Sequence, residues 1–116
     1  MLDFAIYSVL ESNNPEPGQI DGNSLNDFRQ WAVGPFAKCT IQAAPSAAWS
    51  TAVFTVYRSN DGVNFEALST PVTITTSTRM TASIDVSAFA FIRVTTTTAE
   101  GAALGVSLTL CLKDAP

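Results

Sequence analysis

The chain contains no histidine, and this absence limits the chemistry that the sequence supports. Acid and base catalysis would fall to carboxylates, a lysine or a tyrosine, and two cysteines without a histidine do not complete a standard zinc site. The sequence also lacks a G-x-S-x-G elbow and a glycine-rich phosphate loop, and no two carboxylates predict the facing pair of a glycosidase. We therefore expect a protein that is not an enzyme and that uses no metal or cofactor.

Charged residues are scarce as well, at 14% of the 116 residues, against roughly 25% in typical soluble domains. The six Lys and Arg residues are scattered along a chain of net charge −4, so no basic stripe is present to neutralise phosphates. No apolar run approaches the roughly 18 residues of a membrane span, and the first residues do not resemble a signal peptide. We expect no nucleic acid and no membrane as partners, and a chain made in the cytoplasm and not secreted.

Only two cysteines are present, Cys39 and Cys111, and both lie in predicted strands among apolar neighbours. A free cysteine in such a place usually behaves as a small hydrophobic residue. A reducing cytoplasm favours two buried thiols. A disulfide between the first and last core strands is the alternative that stays open.

What the sequence does contain is a series of short segments rich in Val, Ile, Thr and aromatic residues, bounded by Gly, Pro, Asn or Ser. Segments of this kind at intervals of about 8 to 12 residues are typical of a sandwich or small barrel. We predict an all-β fold in one structural domain, an antiparallel β-sandwich that is jelly-roll-like or immunoglobulin-like, with about eight strands and no long helix. From residue 37 onward the segments are AKCTIQAA, TAVFTVYRS, VNFEALS, PVTITT, MTASIDV, FAFIRVTTTT and LGVSLTLCLK.

Residues 1–30 are predicted to form an N-terminal strand and a Pro- and Asn-rich arm, and residues 31–116 the sandwich. The segment "DFAIYSVL" is apolar on both faces, which indicates that both faces meet protein. The segment "ESNNPEPGQIDGNS" is typical of a long loop. For "SLNDFRQWA" two alternatives stay open, a helical turn capped by Ser24 or a strand over "RQWAV", and the strand is favoured.

A weak internal repeat joins two parts of the chain. "VGPFAKCTI", residues 33–41, and "VSAFAFIRV", residues 86–94, share Val, Phe and Ala at matching positions and end in Ile or Val, and the second copy begins 53 positions after the first. Each copy leads through an Ala-rich turn into another alternating segment. The repeat predicts similar strand pairs in the two halves of one sandwich.

The stretch "RSNDGVNFEAL", residues 58–68, is either a site or a turn. Alternation of apolar residues predicts a strand up to Arg58 and another from Val63. The residues between them, Asn60, Asp61 and Gly62, are typical of a tight hairpin turn, because Asp and Gly accept a positive φ. A calcium loop would need more oxygen ligands, and the Asp-box of sialidase-like propellers is one residue longer. The hairpin accounts for every residue.

Two motifs resemble a module of small virion structural proteins of tailed bacteriophages. In that module a strand ends in S-x-D-G-x-x-[WF]-x-x-L, and a later segment reads [IV]-D-V-S-x-[FY]-x-[FY]-[IVL]-R. The resemblance covers roughly residues 50–112, with the earlier copy from residue 33, and residues 1–30 take no part in it. The matching positions are Ser59, Asp61, Gly62, Phe65 and Leu68 for the first motif, and Ile84, Asp85, Val86, Ser87, Phe89, Phe91, Ile92 and Arg93 for the second.

The resemblance implies a β-sandwich and a non-enzymatic component of a phage particle, similar to capsid decoration or cement proteins. Proteins of this type bind assembled shells, often as trimers, so the implied partners are the protein itself as a homotrimer and a major capsid protein or other virion protein, on the capsid exterior. An arm that pairs with a neighbour's sheet edge would be β-augmentation. The candidate interface anchors are aromatic or large apolar residues: Phe4, Ile6, Tyr7, Phe28, Trp31 and Trp49. Ordinary core packing is the alternative for each.

Two further functions stay open. One is a virion protein of the tail, at the head-to-tail connection or associated with a fibre. The other is a carbohydrate-binding module, in which exposed Trp49, Tyr57 or Phe65 would stack on sugars. A flat, exposed row of aromatic side chains would favour the sugar module, and aromatic residues in an interface would favour the virion protein.

Overall fold

The computed structural model describes residues 4–8, 19–34 and 36–113, and for residues 4–8 it describes the backbone. The described residues form ten β-strands and no helix, and the strands make two five-stranded antiparallel sheets, so the predicted antiparallel β-sandwich is confirmed. The strands are β1 (Phe4–Ser8), β2 (Gln19–Asp21), β3 (Phe28–Ala32), β4 (Lys38–Pro45), β5 (Val53–Ser59), β6 (Glu66–Ala67), β7 (Thr73–Ile74), β8 (Ile84–Asp85), β9 (Phe91–Thr98) and β10 (Gly105–Lys113).

The strand order is that of a jelly roll. Sheet A has the order β1-β10-β4-β8, with β2 also paired to β10, and sheet B has the order β3-β9-β5-β6, with β7 also paired to β5. Strands β1 and β2 pair with successive stretches of β10, so together they form one interrupted edge strand. In the same way β6 and β7 pair with two stretches of β5 and form another. Eight strands then remain, as predicted. An immunoglobulin sandwich would place the first two strands side by side in one sheet.

The core lies between the sheets and follows from the alternation of apolar residues along the strands. In β10, every second residue from Val106 to Leu112 is fully buried, and the residues between them are half-buried. Each such side chain, when fully buried, contributes about 1.5–3 kcal/mol to the free energy of folding. Residues with no exposed surface come from both sheets: Ile20, Ile41, Phe54, Val56, Ile74, Ile92, Val94, Val106, Leu108, Leu110 and Leu112.

The internal repeat is a structural repeat in which the two copies bind each other. The backbone N–H of Val33 donates to the carbonyl of Ala90 over 2.7 Å, and the N–H of Val86 donates to the carbonyl of Ala37 over 2.8 Å. Each acceptor therefore lies four residues after the donor of the other copy. Both segments are turns that carry the chain from one sheet to the other, and the prediction of similar strand pairs in the two halves is confirmed.

The strands beside these turns obey the same relation. Ala32 of β3 is opposite Phe91 of β9, and at the equivalent positions Lys38 of β4 is opposite Asp85 of β8. The segment "RQWAV" is part of strand β3 up to Ala32, so the favoured strand is confirmed and the helical alternative is wrong. Strand β3, at the edge of sheet B beside β9, is therefore the equivalent of β8, which lies at the edge of sheet A beside β4.

The two cysteines lie on neighbouring strands but on opposite faces of sheet A. Cys39 is opposite buried Leu112 and is 2% exposed, whereas Cys111 is opposite Thr40 and is half-buried. Both are free thiols, so the open alternative of a disulfide is not the observed state. Burial, with a smaller effect from Cys111, raises the pKa of the Cys39 thiol to about 12.

The burial of Phe89 generates a stability prediction. Phe89 lies in the turn of the second repeat and is 9% exposed within the core. Phe89→Ala leaves a cavity and is expected to lower the free energy of unfolding by about 3–5 kcal/mol. Urea unfolding measures this loss, with Val63→Ala, at a side chain that is 76% exposed, as the control. Equal stability of the two variants would show that Phe89 is not a core residue.

The positions of the thiols generate a reactivity prediction. A thiolate attacks an aromatic disulfide reagent, and a buried thiol of raised pKa supplies little thiolate. In the native protein Cys111 is expected to react first, and Cys39 only after unfolding. Absorbance of the released reagent should therefore show one fast equivalent per chain without denaturant and two with it. Two fast native equivalents, or a loss of the first equivalent in Cys39→Ser rather than Cys111→Ser, would be the opposite result.

Candidate interaction surface on sheet B

The loop between β5 and β6 is organised by the carboxylate of Asp61. Its Oδ1 accepts hydrogen bonds from the hydroxyl of Ser59 at 2.9 Å and from the backbone N–H groups of Val63 and Asn64 at 2.9 and 2.8 Å. Its Oδ2 accepts from the Asn64 side chain at 2.8 Å. The Ser59 oxygen in turn accepts from the N–H groups of Asp61 and Gly62. The loop is thus closed by its own side chains.

The observed loop is longer than the tight turn that the sequence predicts. Strand β6 begins at Glu66 and not at Val63, because the N–H groups of Val63 and Asn64 point to the Asp61 carboxylate instead of to β5. Gly62 has the predicted positive φ, 75°, whereas Asp61 does not. The hairpin is confirmed, and its turn is the six-residue loop 60–65.

This loop folds over the outer face of sheet B. A Cβ added at Gly62 would lie 3.3 Å from the ring of Phe91, so glycine suits both the space and the backbone conformation. Three residues later Phe65 lies against Arg93 of β9. Leu68, the last residue of the first motif, is buried in the core. Each matching residue of that motif therefore has an architectural task.

Arg93 is clamped between two aromatic rings on this face. The guanidinium carbon is 3.8 Å from the ring centre of Phe28 and 3.9 Å from that of Phe65. The Nε and Nη2 groups donate to Oε1 of Gln30 at 3.2 and 2.9 Å. Such a cation over an aromatic face contributes about 0.5–1 kcal/mol at an exposed site. We name Phe28, Gln30, Phe65 and Arg93 the arginine clamp.

The second motif is architectural in the same way. Oδ1 of Asp85 accepts from the backbone N–H of Ser87 at 3.0 Å and from its hydroxyl at 2.6 Å, which closes the turn after β8. These bonds lower the pKa of Asp85 below its ordinary value. Val86 and Phe89 follow inside the core, and Arg93 ends the motif in the arginine clamp.

A cleft of about 370 Å³ lies beside the loop. Its rim carries an ion pair of Arg58 and Glu66 at 3.2 Å. Both side chains reach solvent, so the pair contributes little to stability. The lining offers amide and carboxylate groups around one apolar wall, and comes from Arg58, Ser59, Asn60, Asp61, Asn64, Phe65, Glu66, Ala88 and Phe89.

The structure separates the predicted interface residues. Phe28 is 40% exposed on the outer face of sheet B, and Trp31, one strand position from the end of β3, is half-buried against the core. The side chains of Phe4, Ile6 and Tyr7 lie outside the described residues, as does the predicted arm over residues 9–18. Phe28 is therefore the predicted anchor that the structure places on the surface.

The prediction that Trp49 is exposed for an interface or a sugar is wrong, because its side chain lies in the core. It is 5% exposed, its ring meets Phe54 edge-on at 5.5 Å, and its Nε1 donates to the carbonyl of Ala52 at 2.9 Å. Tyr57 is half-buried, and Phe65 has one face on Arg93. The exposed aromatic row that a sugar-binding module would need is thus absent at these three positions.

Glu100 is a structural residue that the sequence did not reveal. Its carboxylate accepts backbone N–H groups from Ala52 at 2.8 Å, Thr51 at 2.7 Å and Ser50 at 2.9 Å. These bonds lower the pKa of Glu100. They join the loop before β5 to the loop after β9. The donors are main-chain groups, so no side-chain pattern marks the site.

Within residues 4–8, 19–34 and 36–113, no helix has the length and hydropathy of a bilayer span. In the same ranges no three His, Cys, Asp or Glu residues come together as a group that could hold a metal ion.

No family model matches the sequence, and no curated protein matches it. Solved structures of similar fold include the following two. The SPBc2 prophage-derived protein YomS has a TM-score of 0.60 and 13% identity, over 95% of this chain and 92% of that chain. A family two carbohydrate esterase from Cellvibrio japonicus has a TM-score of 0.54 and 8% identity, and 99% of this chain covers 35% of the esterase chain. At these identities the likeness shows a shared β-sandwich fold.

The Asp61 bonds generate a pH prediction. Hydrogen bonds from the backbone of Asn64 and Val63, followed by the Asn64 and Ser59 side chains, hold the pKa of Asp61 well below its ordinary value. A lowered folded-state pKa contributes stability above the unfolded pKa of about 3.9, and this stability is lost as the pH falls further. Asp61→Asn should therefore destabilise the protein most above about pH 5, with a difference that shrinks toward pH 2.

Chemical unfolding from pH 7 to pH 2 measures this dependence. Asn60→Ala, in the same loop, introduces no change in a titrating group, so its difference from the wild type should stay constant. A constant difference for Asp61→Asn as well would mean that the ionised carboxylate does not hold the loop.

Proposed function

We propose that the protein is a non-enzymatic structural protein of a phage particle, of the capsid decoration or cement type. In this proposal it binds a major capsid protein or another virion protein on the exterior of the assembled shell, as a homotrimer. The observation that carries the proposal is the likeness in fold to the prophage-derived protein YomS over nearly the full length of both chains. The two motifs that resemble virion proteins support it independently.

The structure of the motifs agrees with such a role. Ser59, Asp61, Gly62 and Asp85 are occupied in closing loops, which leaves the work of the protein to its surfaces. A decoration protein stabilises a shell by mass action, since it binds the assembled form and adds buried area. Low surface charge and an exposed aromatic residue, Phe28, suit a surface that other protein covers.

A position on the tail, at the head-to-tail connection or beside a fibre, is the alternative within the same particle. Both positions need the same kind of inert sandwich with a protein-binding face. Direct localisation on the particle separates them.

Immunoelectron microscopy tests the proposal. Antibodies against the purified protein are applied to phage particles from the strain that carries the gene, and to particles from a strain in which the gene is deleted. The expected result is regular label over the shell of the first particles, with shells of the second opening at a lower temperature. Label on the tail would replace decoration by the tail role. Particles without label would contradict the proposal.

A further inference from the structure

The outer face of sheet B carries a single charge among its described strand residues. Alternation places Phe28, Gln30 and Ala32 of β3 on this face, since Trp31 between them lies on the core side. The same alternation in β9 and β5 adds mostly Thr and aromatic side chains. The outward set is Phe28, Gln30, Ala32, Thr55, Tyr57, Phe91, Arg93, Thr95 and Thr97, in which Arg93 is the one ionised residue.

The arginine clamp fixes Arg93 in one orientation. Phe28 and Phe65 hold the plane of the guanidinium, and Gln30 occupies the edge formed by Nε and Nη2. Among the described residues no hydrogen bond reaches Nη1. The end-on edge, Nη1 with the second hydrogen of Nη2, therefore remains to bind a carboxylate with two parallel hydrogen bonds. Arginine flanked by aromatic residues is also the composition of interface hot spots.

The described carboxylates already have partners within the chain. Hydrogen bonds or ion pairs engage Asp21, Asp27, Asp61, Glu66, Asp85 and Glu100. A different source of carboxylates is the segment 9–18, which carries Glu11 and Glu16 and no basic residue. It connects β1 to β2, two strands that both pair with β10 at one edge of sheet A.

We propose that the outer face of sheet B binds the acidic segment 9–18 of a second copy, with a glutamate of that segment on the end-on edge of Arg93. The charges are complementary, because Arg93 is the one cation of an otherwise neutral face and the segment carries Glu11 and Glu16. Donor and acceptor surfaces differ, so the contact repeated about the three-fold axis of the proposed homotrimer lets each copy give its segment to the next copy. The inference rests on the self-association in the proposed function and is independent of the location in a virion.

Light scattering over a concentration series at low salt tests this contact with two charge reversals. Arg93→Glu, and the double change Glu11→Lys with Glu16→Lys, should each reduce the mass from that of the oligomer to the 12.3 kDa of one chain. Combining all three changes in one chain should restore the oligomer, since every segment then meets a face of opposite charge in a ring of any size. A contact within one chain would give no change of mass in any of these variants.

The controls separate association from folding. Arg79→Glu makes the same charge change at an exposed residue outside the clamp and should leave the mass unchanged. Circular dichroism checks that each variant is folded, and if Arg93→Glu is not, Arg93→Gln replaces it in the series. A clamp with only a structural role would change the melting temperature and leave the mass alone, which would overturn the inference. A wild-type monomer, or a folded combined variant that stays monomeric, would overturn it too. An oligomer that persists in both charge-reversal variants would overturn the contact at Arg93 and would be consistent with a homotrimer formed through another surface.

Discussion

The two sheets are held together by the burial of one apolar face of each sheet against the other. Each long strand carries apolar residues at every second position. A single sheet would therefore expose one apolar face to water. Among the connections that cross between the sheets, the two turns of the repeat support each other. The N–H of Val33 and the N–H of Val86 each bind the other copy, so one pair of hydrogen bonds fixes both turns.

With so few charges in the chain, the acids that the structure describes act mainly as acceptors for N–H groups of loops and turns. Asp61, Asp85 and Glu100 each hold one loop or turn, and each has a lowered pKa for that reason. The acidic residues of the two motifs therefore have a structural role, although their composition is also typical of a binding site. The loop that Asp61 holds in turn delivers Phe65 to Arg93, so a local hydrogen-bond network shapes a surface formed by three strands.

Features that depend on neighbouring residues in the sequence were predictable. The alternation in "FIRVTTTT" and "GVSLTLCLK" marks β9 and β10. The repeat that begins at Val33 and at Val86 predicts the similar strand pairs beside the two turns. Features that depend on distant residues were not. Phe28, Phe65 and Arg93 meet only after strand pairing, and the core position of Trp49 depends on how its loop folds over Phe54. The length of loop 60–65 escaped because backbone bonds to Asp61 override the alternation from Val63 onward.

In the proposed self-association the loops serve the architecture and the outer face of sheet B binds the second copy. Hydroxyl-radical footprinting read by mass spectrometry tests this division most directly, at a dilute and a concentrated protein concentration. Oxidation of Phe28 and Phe65 is expected to fall at high concentration, while Met80, which is 56% exposed and paired with Gln42 of sheet A, is expected to be oxidised equally in both samples. Protection of Met80 with unchanged oxidation of Phe28 and Phe65 would contradict it.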